Sequence, residues 1–195
     1  ATAAIFSSLL IRALPTLSAP PSDVPDQTQS TISVTPESAP ANAGFNFTVT
    51  VVVRNNAGTP LSGKSVSFAS SRGAADEFSL NPVVTDAAGQ AITRVASCTA
   101  DERAFYGNVD PISLQSPVVN FTADSAVSPT QSTTQQSAAS VPADNATTVR
   151  ITVTTQTGCG VPLSGISVKL TSSRPSSDNI APSATVVTVN GQALF

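Results

Sequence analysis

The chain reads as all-β: two antiparallel β-sandwiches in tandem, the second lacking its final strands. Three observations predict this. Short runs of β-branched and aromatic residues alternate with polar ones at period two. Turn signals interrupt these runs about every 8–12 residues. And the sequence repeats itself at a fixed offset of 102 residues.

The repeat sets the organisation. Pro40 matches Pro142, Pro60-Leu61-Ser62-Gly63 matches Pro162-Leu163-Ser164-Gly165, and Ser65-Val66 matches Ser167-Val168. Ser70-Ser71-Arg72 matches Ser172-Ser173-Arg174, Asp76 matches Asp178, and Gly89-Gln90-Ala91 matches Gly191-Gln192-Ala193. A constant offset without gaps means two copies of one small domain. The expected division is an N-terminal extension over 1–30 and a first sandwich over 31–123. A Ser/Thr/Gln-rich linker with the first strand of copy two follows over 124–140, then an incomplete second sandwich over 141–195. Phe195 is the counterpart of Thr93, so copy two is expected to lack roughly the last 30 residues of its fold.

Each strand follows from its own pattern. An opening strand lies near Thr31 to Thr35. Over Phe45 to Arg54, the residues Phe45, Phe47, Val49, Val51 and Val53 share one apolar face. Copy two repeats this with Val149, Ile151 and Val153 inward and Arg150, Thr152 and Thr154 outward. Turns follow at Asn55–Pro60 and Thr157–Pro162. The next strand points Val66 and Phe68 inward, with Val168 and Leu170 as counterparts. Val83 to Thr85 leads into the turn Asp86-Ala87-Ala88-Gly89, and Gln90 to Ser97 alternates again. Arg103 to Leu114 and Pro117 to Ala123 complete copy one, the last with Val119 and Phe121 against Asn120 and Thr122. Roughly seven short strands in about 90 residues is a sandwich signature.

The run Ser38-Ala39-Pro40-Ala41-Asn42-Ala43-Gly44, the Pro-Leu-Ser-Gly and Ser-Ser-Arg motifs and the turn Thr85-Asp86-Ala87-Ala88-Gly89-Gln90-Ala91 occur in order. In this order, largely twice over, they resemble the bacterial Ig-like repeats of the invasin/intimin type. The resemblance covers about Thr31 to Phe195. It implies Ig-like sandwiches, stacked as extracellular rods in adhesins and surface appendages, without enzymatic activity.

Composition narrows the chemistry. The chain has no His, Met or Trp, 11% charged residues, 15 prolines and a net charge of −3. Without His, the usual Ser-His-Asp and Cys-His systems are absent. Two Cys do not make a closed zinc site, there is no Gly-rich phosphate loop, and no cofactor is expected. The net charge argues against a nucleic-acid partner. No stretch of 18 apolar residues exists, so no transmembrane span is expected. Asp76-Glu77 and Asp101-Glu102 could gather at one end of copy one for calcium; solvated loop carboxylates are the reading preferred.

Tracing the strands up and down places Cys98, after strand Gln90–Ser97, at the end where copy two begins. Cys159 lies in a turn at the starting end of copy two. A disulfide across the junction is expected; two free or intermolecular thiols are the alternative. Asn46, Asn120 and Asn145 open Asn-x-Thr triplets and are candidate glycan acceptors, although a Thr-rich chain also makes such triplets by chance. By parity Asn46 and Asn120 point outward.

The N-terminal segment offers Ile5, Leu9, Ile11 and Ala13 on one face as a candidate donor strand for the gap in copy two of a neighbouring subunit. Ile5, Phe6, Leu9, Leu10 and Ala13 also fit a short amphipathic helix ended by Pro15. The expected function is a structural subunit of an extracellular filament or surface appendage, self-associating head to tail. The alternatives are a stalk fragment of a large cell-surface adhesin and, more weakly, a carbohydrate-binding module, which one Tyr and no Trp ill suit.

Overall fold

A computed structural model describes residues 22–144 and 146–195. It is all-β, and a single 3-10 turn over Gly73–Ala75 is the one helical feature among the described residues. No helix there is long and apolar enough to cross a membrane. Copy one holds β1 (Thr31–Thr35), β2 (Ser38–Ala41), β3 (Phe47–Val52), β4 (Ser65–Ser70), β5 (Asp76–Phe78) and β6 (Val83–Val84). It continues with β7 (Gln90–Ser97), β8 (Asp101–Arg103), β9 (Phe105–Val109), β10 (Ile112–Gln115) and β11 (Val119–Ala123). Copy two holds β12 (Thr133–Gln136), β13 (Ile151–Thr154), β14 (Ser167–Lys169), β15 (Thr185–Val187) and β16 (Gln192–Leu194).

Two four-stranded sheets, β1-β3-β7-β5 and β10-β9-β4-β6, form the sandwich of copy one. A third sheet, β2-β11-β8, closes one end, with β11 parallel to β2 and antiparallel to β8. Alternation does the packing. β3 sends Phe47, Val49 and Val51 into the interior, fully buried. They meet Val66 and Phe68 from β4, Phe105 and Val109 from β9, Leu114 from β10 and Phe121 from β11 in one core cluster. Phe47 meets Phe121 edge-on, with ring centroids 4.5 Å apart, an arrangement that adds to area burial.

The structure revises several sequence expectations. Phe45 shares the parity of Phe47 but is 41% exposed, because the strand begins only at Phe47. Asn42 and Asn46 tie the preceding loop instead: Asn46 Nδ2 donates to Asn42 Oδ1 at 2.7 Å and to the Pro40 carbonyl at 2.9 Å. The stretch Arg103 to Leu114 is no single strand; it breaks into the end of β8, then β9 and β10, with a turn at Asp110-Pro111. In copy two, Val149, Ile151 and Val153 are half-buried, where their counterparts from copy one are largely buried. Ala193 is the one fully buried apolar residue among the described residues of copy two.

The backbone nonetheless repeats. β1 pairs β3 with Thr31 opposite Val52, and β12 pairs β13 with Thr133 opposite Thr154, the same register 102 residues on. The offset slips once. Thr85 Oγ1 donates to the Leu61 carbonyl and accepts from Lys64 N–H; its structural twin is Thr188, which donates to Leu163 and accepts from Ile166. The four-residue turn after Thr85 is replaced by the tight Asn190-Gly191 turn, where φ is 50° and 76°. Positive φ at both central residues is what Asn-Gly supplies most readily, and the shorter turn absorbs the extra residue upstream.

Two outcomes test this fold. Phe47→Ala leaves a cavity beside the Phe105 and Phe121 rings and should cost about 3–5 kcal/mol, while Phe45→Ala should stay within about 0.5 kcal/mol. Denaturant midpoints compared between the two variants check this. The second concerns the turn that opens copy one. The Thr28 hydroxyl, then the Thr28 and Gln29 amides, donate to Asp26 Oδ1 and hold its carboxyl below the ordinary 3.8. A lowered folded-state value means that the contribution of this turn is present above the ordinary carboxylate range. It fades as the pH falls through the lowered midpoint. Titration of Asp26 by NMR should find that midpoint below 3.8, moving back up in Thr28→Val.

Candidate functional site

Polar chemistry concentrates at one end of copy one, where β7 stops and copy two begins. Cys98 follows β7 and is joined by a disulfide to Cys159, with Cα atoms 5.6 Å apart. The turn that carries Cys159 is seated against copy one. Gly158 N–H donates to Asp124 Oδ2 at 3.3 Å, and Cys159 Sγ lies 3.5 Å from the Ala41 carbonyl oxygen. A Cβ at position 158 would stand 2.3 Å from the Asn42 carbonyl oxygen, so only glycine permits this approach. Asn42 is itself braced, its Oδ1 accepting from Gly44 N–H at 2.9 Å and from Asn46.

Behind Cys98 lies a buried ion pair. Arg103 from β8 and Asp76 from β5 contact each other with both side chains at 0% exposure. Asp76 also accepts from Ser70 Oγ. The second edge of the guanidinium serves the chain around the cysteine: Nη1 donates to Ser97 Oγ at 3.0 Å and Nη2 to the Thr99 carbonyl. The guanidinium carbon sits 4.5 Å over the Phe121 ring, a cation–π contact out of water. Burial pulls the Arg103 pKa down from its ordinary value, and Asp76 opposes that pull. Among the described residues no buried side-chain nitrogen or oxygen lacks a partner. That satisfaction is what makes a buried charge tolerable.

Asp76 is therefore no solvated loop carboxylate. Asp101 pairs with Arg72 on the half-exposed surface, an arrangement of small energetic weight. Glu77 and Glu102 are exposed. No group of three or more His, Cys, Asp or Glu that could hold a metal ion occurs among the described residues. Asn120 is exposed in mid-strand on β11, whereas Asn46 is half-buried with its amide committed to two acceptors. Asn145, Ile5, Leu9, Ile11 and Ala13 lie outside the described residues. Sequence reasoning missed Arg103. The recurring Ser-Ser-Arg motif with an Asp four residues on signals the Ser–Asp contact, Ser70 with Asp76 and Ser172 with Asp178, but nothing in it points to Arg103.

Residues 29–122 match the family model of the bacterial Ig-like domain (group 1). No curated protein matches the chain. Among solved structures, the D0-D1 domain of intimin is similar at 20% identity, covering 84% of this chain and 80% of that one, with a TM-score of 0.45. The D00-D0 domain of intimin is 22% identical over 47% of this chain and 45% of that one, with a TM-score of 0.43. Invasin, a bacterial integrin-binding protein, is 23% identical over 72% of this chain, with a TM-score of 0.48; the chain spans 29% of its length.

Removing one member of the ion pair leaves the other buried and alone. Arg103→Met should cost about 3–5 kcal/mol, and the double variant Arg103→Met/Asp76→Leu should recover a large part of that loss. Urea unfolding of the three proteins measures it; a double variant as unstable as the single one contradicts the pairing.

Proposed function

We propose, from the premise that residues 29–122 form a bacterial Ig-like domain of group 1, that the chain is a stiff stalk segment of an adhesin or related appendage at the cell surface. It carries no chemistry of its own and holds other parts at a distance. One observation bears most of the weight: the two copies are clasped at their junction. The linker that leaves β11 at Asp124 is one connection; the disulfide is a second, and the Gly158 contacts with Asn42 and Asp124 seat the turn that carries it. A covalent bridge beside the linker removes the swivel that a linker alone would leave. A disulfide also suits an oxidising compartment, which supports the extracellular reading.

A second reading has its own support. Ile151, Val153, Val168 and Leu170 of copy two are half-buried, whereas their copy-one counterparts Val49, Val51, Val66 and Phe68 are buried. A strand added from a neighbouring subunit would cover them, which is the filament reading with Ile5, Leu9, Ile11 and Ala13 as donor.

Sedimentation velocity and small-angle X-ray scattering on the full chain separate the two. The stalk reading expects a monomer whose scattering fits one extended, rigid shape. It also expects Cys98→Ser/Cys159→Ser to broaden that shape into a distribution of bend angles. Fibres from the purified chain, lost on deletion of residues 1–14, would replace the stalk with the filament.

A further inference from the structure

We propose that Arg103 is a positioning residue for the junction disulfide: it sets the backbone on both sides of Cys98 so that this thiol stands at the place where Cys159 is held. This role belongs to the junction alone and is the same in a stalk or a filament subunit.

Cys98 is exposed and lies beyond the end of β7, where a strand terminus would ordinarily fray. Its two neighbours do not belong to a free loop. Ser97 Oγ accepts from Arg103 Nη1, donates to the Ala75 carbonyl at 3.0 Å, and accepts from Thr99 N–H at 3.1 Å. The Thr99 carbonyl accepts from Arg103 Nη2. One planar guanidinium therefore holds the residue before the cysteine and the residue after it, and Asp76 holds the guanidinium. Ser97 also reaches the opposite wall of the junction, since its carbonyl accepts from Ala43 N–H at 3.2 Å. Ala43 closely follows Ala41, the last residue of β2, and Asn42, which receive the Cys159 turn. Both sulfurs are thus referenced to one buried group through short chains of hydrogen bonds.

The consequence is chemical. Closing the bridge from the dithiol transfers two electrons and two protons to an oxidised disulfide such as glutathione disulfide. The Cys98–Cys159 bond forms, the acceptor's sulfur–sulfur bond breaks, and two thiols are released. The equilibrium constant of this exchange is the effective concentration of one cysteine at the other. That concentration is high when both are held on fixed frames and falls when one frame loosens. Lys in place of Arg103 keeps the charge facing Asp76 but loses the fork that spans Ser97 and Thr99.

The test is equilibration of the full chain in defined mixtures of reduced and oxidised glutathione, with thiols trapped by alkylation and counted by mass. Arg103→Lys should lower the effective concentration by about tenfold, and Ser97→Ala by at least about threefold. Val66→Ala, a core truncation in β4 away from the junction, should remain within about twofold of the native chain and controls for general loss of stability. If Arg103→Lys does not fold, Ser97→Ala keeps the ion pair and carries the test. Values for both junction variants within about threefold of native, or an equal fall in Val66→Ala, overturn the proposal.

Discussion

A guanidinium with no access to water imposes a condition on everything around it. Arg103 needs an anion, acceptors for its remaining N–H groups and a surface that tolerates charge. Asp76, Ser97, the Thr99 carbonyl and the Phe121 ring meet that need. They come from β5, β7, the segment after β7 and β11, so they belong to two different sheets. The four-stranded sheet of β5 and β7 is joined to the closing sheet of β8 and β11 by this one group. Apolar contacts tolerate small slips of one sheet over another, whereas a buried charge tolerates none. The end of copy one that faces copy two is defined at this point.

The two copies show how far one sequence pattern determines its surroundings. Their turns share backbone hydrogen bonds almost atom for atom: Asn55 N–H to Thr59 has its twin in Thr157 N–H to Val161, and Leu61 N–H to Val53 in Leu163 N–H to Thr155. The Ser-Ser-Arg turn with its Asp recurs as well. Its environment does not. Asp76 is sealed beneath Arg103, while Asp178 shares the exposed surface with Arg174 at 3.3 Å. The local motif forms from neighbours in sequence; burial comes only from elements packed over it.

The same division separates what was legible in the sequence from what was not. β3, β4, β7 and β11 followed from alternation, because each has one buried face and period two reports it directly. The junction cysteines came together from strand direction alone, a property of topology rather than of contacts. β2 was hidden, since Ser38–Ala41 carries a proline and pairs in parallel with β11, some 80 residues away in sequence. Phe45 misled because parity continues past the point where pairing stops. The Asp76–Arg103 pair was invisible, for carboxylates near turns are ordinarily wet and nothing local distinguishes one that an arginine from another sheet will cover.

The disulfide also reroutes mechanical load. A pull on the two ends of the chain passes from Cys98 directly to Cys159, so the intervening stretch, a separation of 61 residues, carries no tension. Roughly 200 Å of contour length, at about 3.3 Å per residue, is withheld from extension. In copy one the load then enters at the start of β1 and leaves at the end of β7. These strands flank β3, each antiparallel to it, and so run parallel to one another. Opposed forces along parallel strands strain all the registered pairs at once, five between β1 and β3 and six between β3 and β7, in shear. A ladder loaded that way yields as a whole; one peeled from its end yields pair by pair.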